Sequence, residues 1–428
     1  MSTSSGPDGA RVLARYWIET ARPLEAAAAQ MAGEQSTGTF VRVAGETDAL
    51  RERFSARIEA LTPTGETSSP SLPGAWQPRG GPGVWRTAEV TLSWPLHNFG
   101  PSLPNLLATV AGNLWELKAF SGMRLLDLTL PREFLSAYPG PRFGVPGTRA
   151  ASGVHGRPLI GTIIKPSVGL SPAATAARVA ELAAAGVDFI KDDELQADGP
   201  HCPFEARFSA VMRVLREHAE RTGRRILYAV NITGEIDQML RRHERVVAGG
   251  GNCIMVSLHS IGLPALTALR AQCQVPIHGH RNGWGLLGRS PAIGVSFPAW
   301  QKLWRLAGID HVHVNGLDNK FCESNESVIA SAHECLTPMF PPPSPGCEIM
   351  PVFSCGQTAL QVPGTWQALG SVDLIHACGG GIIGHPGGAA AGVRSLRQAW
   401  EAAVAGIPLA QHAREHRELA EAIAAFGR

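Results

Sequence analysis

The chain has 428 residues, 44% of them hydrophobic, and its 38 basic and 36 acidic side chains leave a formal charge of +2. That length suits two domains, or one barrel of about 250 residues with an appendage. So balanced a charge excludes a broad electrostatic field for nucleic acid or acidic lipid, and points to a small-molecule ligand.

At the start, "MSTSSGPDGARVLARYW" lacks the apolar core of a signal peptide, and no uncharged run anywhere is long enough to cross a bilayer. Residues 1–140 read as a separate α+β domain of the ferredoxin-like kind. Its expected strands are "TGTFVRV" from Thr37 and "WRTAEVTLSWPL" from Trp85, with helices over 48–61 and 105–120. The turn formers of "TPTGETSSPSLPGAWQPRGGPG" predict a loop over 62–83.

The remainder, 141–428, alternates short apolar runs with amphipathic helical stretches. Eight strands are predicted: "PLIGTII" from Pro158, "VDFI" from Val187, "ILYAVNI" from Ile226, "CIMVSL" from Cys253, "VPIHGH" from Val275, "HVHVNG" from His311, "IMPVFS" from Ile349 and "DLIHAC" from Asp373. Parallel strands with helical crossovers in that number most economically close into a (β/α)8 barrel. Between the first two, Ser171 is the expected N-cap of a helix, with Pro172 in its first turn and Gly186 at its end. A last helix over 410–426 is placed outside the barrel. The eight cysteines, all between 202 and 378, form no C-x-x-C pair; they read as buried thiols in a reducing, cytoplasmic setting.

Barrels of this type carry their chemistry at the C-terminal ends of the strands. Here those ends hold Lys165, then Lys191 with Asp192, Asp193 and Glu194, then Asn231, then His278, His280 and Arg281, then His311 and His313, then Ser354, and finally Gly379, Gly380 and Gly381. In "GVDFIKDDE", Lys191 and Asp193 share a strand face, and Glu194 follows where the chain leaves the sheet. Two carboxylates can meet one ion, and hard oxygen donors favour Mg2+. A lysine of depressed pKa beside them can take up CO2 as a carbamate and become a third oxygen ligand. A salt-bridged structural cluster is the alternative. The glycines of "ACGGGIIGHPGG" suit a phosphate, or simply a tight turn; Ser354 and the Gly356 backbone add to that side. Arg281 and His313 suit a second anion or a carboxylate. For His311 a core role is expected, while His278 and His280 remain open between site and core.

Taken together, "GTIIKP", "GVDFIKDDE", "HGHR", "HVHVNG" followed by Lys320, "PVFSCG" and "GGGIIGHPGG" resemble the RuBisCO large-subunit superfamily in order and interval. "GEQSTGTF" and "GNLWELK" extend the resemblance into the first domain, so it spans nearly the whole chain. It implies a carbamylated Lys191 binding Mg2+ with Asp193 and Glu194, Lys165 as acid/base at the enolised carbon, and His280 assisting proton transfer. It further implies that Arg281, His313 and Ser354 hold one end of the substrate, and that Lys320 acts from a mobile loop. Gly356, Gly379 and Gly380, with Thr39 of a neighbouring subunit, would bind a phosphate. Glu34 and Asn113 would come from that neighbour too, in a homodimer with shared sites or a larger assembly of such dimers.

The departures select the branch. Carboxylating members have a second lysine where this chain has Ser167, a Gly-Lys loop where it has Asn319-Lys320, a tryptophan at Phe40 and a Gly-Gly pair at Cys355-Gly356. The resemblance is therefore to the RuBisCO-like proteins, form IV, which enolise a phosphorylated sugar-derived ketone without carboxylating ribulose bisphosphate. Decarboxylation or hydrolysis of a 3-oxo-isoapionate 4-phosphate type of substrate is favoured, because Arg281, His313 and Ser354 suit a polar far end. Methylthioribulose 1-phosphate isomerase and diketo-methylthiopentyl phosphate enolase are the alternatives within the family, and a non-catalytic phosphate-binding protein the alternative outside it.

Overall fold

Alternation of period two runs through strand β1 (Arg11–Thr20), where Val12, Ala14, Tyr16 and Ile18 are wholly buried. In the computed structural model, which describes residues 9–38, 43–77 and 83–427, this strand is central to the first of two units. After it come α1 (Leu24–Glu34), α2 (Asp48–Phe54), β2 (Arg57–Thr67), β3 (Trp85–Pro95), α3 (Leu103–Val110) and β4 (Phe120–Thr129). The strands lie in the order β4-β1-β3-β2, each antiparallel to its neighbour, which is the ferredoxin-like arrangement.

Sequence expectations for this unit need correction. The helix expected over 48–61 stops at Phe54, and β2 runs through most of what read as its end and on into the expected loop as far as Thr67. β2 is an edge strand with no buried residue, so no apolar alternation marks it; Pro63 and Gly65 oppose a helix there. The helix expected over 105–120 ends at Val110, ahead of Gly112 at φ +39°, and β4 begins at Phe120. β1, α1 and β4 were not anticipated. Of "TGTFVRV", residues 39–42 lie outside the described residues.

The second unit contains all eight expected strands: β5 (Leu159–Ile163), β6 (Phe189–Lys191), β7 (Leu227–Asn231), β8 (Cys253–Ser257), β9 (Ile277–His280), then, after the short β10 (Ile293–Val295), β11 (His311–His313), β12 (Met350–Phe353) and β13 (Ile375–Ala377). β10 pairs with β4 and belongs to the first unit. The other eight close into a parallel barrel, β5 to β9 followed by β11, β12 and β13. Leu159, Phe189, Leu227, Ala229, Cys253, Met255, Met350, Val352, Ile375 and Ala377 fill its interior as one cluster. Ser171 caps the helix Pro172–Ala185 by accepting from Ala174 N–H, and Gly186 ends it at φ +89°. The expected last helix is two pieces, Leu409–His412 and Arg417–Phe426, the latter packed on Gly388–Val404. Six cysteines are buried, but Cys322 is exposed and Cys355 half-buried. No helix of the described residues is long and apolar enough to cross a membrane.

Candidate active site

The strand parity that places Phe189 inside the barrel also turns Lys191 inward, one step nearer the C-terminal mouth. Lys191 is 1% exposed; its Nζ donates to the Asp192 carbonyl (2.9 Å), to Glu194 Oε2 (3.3 Å) and towards Met255 Sδ (3.7 Å). Burial pushes its pKa below the usual lysine value, against the opposing pull of Glu194 and Asp193. Asp193 is also buried. It accepts from Lys165 Nζ at 2.6 Å and from Leu195 N–H at 3.1 Å. Although burial pushes its carboxyl upward, Lys165 and the backbone donor outweigh this and hold it below the ordinary range. Asn231, fully buried, donates to the carbonyls of Asp193 (3.3 Å) and Glu194 (3.2 Å) and so fixes the turn that presents both acids.

The middle acid has a different task. Asp192 accepts from Tyr228 Oη (2.6 Å), Arg207 Nε (3.2 Å) and Asn231 N–H (3.0 Å), entirely out of solvent. Its charge is compensated there, so of the three acids only Asp193 and Glu194 belong to the mouth. Glu194 also meets His280 Nε2 at 3.4 Å. Burial and the nearby Lys191 lower the His280 pKa to about 4, so its imidazole is neutral at neutral pH, while Asn282 N–H donates to its Nδ1 (3.2 Å).

Below His280, His278 Nε2 and His313 Nε2 lie 2.8 Å apart, and His313 Nδ1 meets Ser354 Oγ at 2.8 Å. His278 is therefore a buried partner of a mouth residue, whereas His280 stands at the mouth itself. His311 takes the core role, with Nε2 on Thr148 Oγ1 at 2.8 Å. Arg281 does not stand open: Glu323 pairs with it through both guanidinium NH2 groups, and Asn315 Nδ2 (2.6 Å) and Ser327 Oγ (2.8 Å) donate to the same carboxylate. Sequence spacing gave no signal for Glu323, which lies 42 residues from Arg281. Asn315, Asp318 and Cys355, at the ends of β11 and β12, adopt φ of +65°, +49° and +68°, a conformation non-glycine residues tolerate where surroundings over-determine it.

Around the rest of the mouth, Lys165 is half-exposed and also touches Ser167 Oγ (2.8 Å). A Cβ added at Gly380 would meet nothing within 4 Å, and one at Gly379 only Ile163 at 3.8 Å, so both backbones border open space. Gly381, in contrast, lies against the β12 loop: a Cβ there would be 2.5 Å from the Gln357 carbonyl. The chain at Gly356 (φ +86°) passes close to Lys320, which is exposed beside Phe321. Glu34 and Asn113 are exposed on the first unit, and Thr39 and Phe40 lie outside the described residues. Away from the mouth, Glu401, His412 and His416 bring ligand-type atoms within 4.8 Å of one another on the C-terminal helices.

Family models for the ribulose bisphosphate carboxylase large chain match residues 2–134 with its N-terminal domain and 144–426 with its catalytic domain. The chain belongs to the RuBisCO large-chain family. Within it, a 3-oxo-isoapionate-4-phosphate transcarboxylase/hydrolase of Xanthobacter autotrophicus is 54% identical, over 96% of this chain and 98% of that protein. A 3-oxo-isoapionate-4-phosphate decarboxylase of Rhizobium etli is 42% identical over 96% and 97%. The crystal structure of a rubisco-like protein from Burkholderia fungorum superposes with a TM-score of 0.90 at 46% identity, covering 97% of this chain and 99% of that one. The chain is thus a RuBisCO-like member of the family and not a RuBisCO proper.

Proposed function

We propose that the protein is an Mg2+-dependent enzyme acting on 3-oxo-isoapionate 4-phosphate, with transcarboxylation and hydrolysis favoured over simple decarboxylation. The observation that carries this reading is the 54% identity over nearly full length to the Xanthobacter transcarboxylase/hydrolase. The convergence of Lys165, Lys191, Asp193, Glu194 and His280 on one barrel mouth supports it.

The donor chemistry fits a hard divalent cation. Asp193 and Glu194 supply carboxylate oxygens, and Lys191, whose burial favours the neutral amine, is suited to carry the CO2 adduct that would add a third. When bound, the cation would polarise the substrate's keto oxygen. A 3-oxo acid under that influence would lose CO2, the electron pair of the breaking C–C bond moving onto this oxygen. Transcarboxylation would return the same CO2 to the carbon on the other side of the keto group, whose proton passes to the first. Water would then cleave the new 3-oxo acid, so that no net CO2 is released. Lys165 Nζ, held by Asp193 at 2.6 Å and by Ser167 Oγ at 2.8 Å, is half-exposed at the mouth, placed to give or take the proton at the neighbouring carbon. Neutral His280, oriented by Asn282, moves the second proton. Gly356, Gly379 and Gly380 would receive the phosphate, and Lys320 would act from the loop after β11.

In this reading the working unit is a cytoplasmic homodimer in which Glu34, Thr39 and Asn113 of one subunit complete the other's mouth. Mixing inactive Lys191→Met and Asn113→Ala proteins, then allowing subunits to exchange, should restore about a quarter of the parent activity, since half the dimers carry one intact site of two. The reaction is tested by incubating the protein and 3-oxo-isoapionate 4-phosphate with Mg2+ and bicarbonate, followed by NMR. Carbon–carbon cleavage without net CO2 release is the expected result; stoichiometric CO2 release would make it a decarboxylase, and no turnover would overturn the reading.

A further inference from the structure

In the loop that follows β11, Glu323 immediately precedes Ser324, the N-cap of helix Asn325–Leu336, so its backbone is set by a regular element. Its carboxylate accepts from Arg281, Asn315 and Ser327, and its own carbonyl accepts from Asn319 Nδ2 at 3.2 Å. The Arg281 and Glu323 side chains are 5% and 12% exposed. A buried, many-donor ion pair of this kind has no net charge to offer, and pulling its carboxylate away would strand the guanidinium. Of the polar groups beside the pair, Ser354 Oγ, Cys355 Sγ and Asn315 are uncharged, and Lys320 lies exposed in the loop near Gly356. The His278–His313 contact between two Nε2 atoms needs one donor and one acceptor, so it does not carry two imidazolium charges.

We infer that Glu323 is a specificity-determining residue: by neutralising Arg281 it makes this end of the mouth a site for hydroxyls and excludes a second phosphate. The inference rests on reading the mouth as the substrate site. It deepens that reading by assigning the discrimination against a second phosphate to Glu323. A phosphate arriving beside Arg281 would meet the Glu323 carboxylate, and like charges in so dry a place repel strongly.

The test compares binding of D-ribulose 5-phosphate and D-ribulose 1,5-bisphosphate to the full-length protein with Mg2+ and bicarbonate, by calorimetry. The wild-type protein should bind the bisphosphate at least about tenfold more weakly than the monophosphate. Glu323→Gln keeps the shape and the contacts with Asn315 and Ser327 but uncovers the guanidinium charge. It should tighten the bisphosphate by about tenfold or more relative to the monophosphate, and Arg281→Gln added to it should remove the gain. A wild-type protein that binds the bisphosphate as tightly as the monophosphate or more tightly, or a folded Glu323→Gln that strengthens both probes alike or neither, overturns the inference. The wild-type ratio needs no variant, so a poorly folding substitution leaves the test decisive. Failure of 3-oxo-isoapionate 4-phosphate itself to bind would bring down the site reading; its binding alongside a strong bisphosphate preference would bring down only the role of Glu323.

Discussion

Asp192 and Asp193 are neighbours with opposite environments. Asp192 is enclosed by Arg207, Tyr228 and the Asn231 N–H, whereas Asp193 faces Lys165 at the mouth. Asp192→Asn leaves Arg207, itself wholly buried, without its counter-charge, which costs about 3–5 kcal/mol in comparable buried pairs. Asp193→Asn removes a proposed ligand but keeps the shape and the contact with Leu195 N–H. A melting curve should therefore show a large loss for Asp192→Asn and little change for Asp193→Asn. Turnover per folded molecule should show the reverse, falling by about 10²-fold or more only for Asp193→Asn. Equal losses in both assays for both variants would place the two acids in one structural cluster.

At the scale of single elements, the loops that end β12 and β13 meet through glycine. Gly381→Ala would put a methyl group 2.5 Å from the Gln357 carbonyl and 3.0 Å from Thr358 Cα, both backbone, so the loops must separate. A destabilisation of about 1–3 kcal/mol should appear in a denaturant titration. Gly380→Ala meets nothing within 4 Å and should leave stability nearly unchanged while raising KM for the phosphorylated substrate. The same elements show why the second unit was readable in sequence and the first less so. Barrel strands are buried on both faces, so they appear as apolar runs such as "ILYAVNI" ending in polar residues, and their number implies closure. β2, with no buried residue and paired on one side alone, carries no such mark, and Pro63 within it reads as a breaker. Lys191, Asp193 and Glu194 stood out in sequence because they stand together at the end of one strand, although their partners Lys165 and His280 come from other strands. The Arg281–Glu323 pair was not, because only the folded barrel brings positions 42 residues apart together.

Across the whole molecule, the barrel buries histidines as neutral groups. Burial lowers the pKa of His311 and of His376 to about 3, and pushes His278 and His313 well below their usual value. The direction of the consequence follows from linkage. Above about pH 6.5 these imidazoles are neutral in both folded and unfolded chains, and nothing is lost. As pH falls through that value, the unfolded chain takes up protons that the barrel refuses, so folding stability declines and continues to do so down to about pH 3 for His311 and His376. At pH 5 each of these two should cost about 2 kcal/mol relative to pH 7. Melting temperature should thus fall between pH 7 and pH 5, a range in which exposed carboxylates remain ionised. His376 accepts from Trp400 Nε1 through its Nδ1 at 3.0 Å, a contact an asparagine oxygen can replace. His376→Asn should therefore flatten the decline by about one histidine's share without abolishing the fold. A wild-type melting temperature that is level over this range, or a variant whose slope matches the wild type, would show that the buried imidazoles do not govern acid stability.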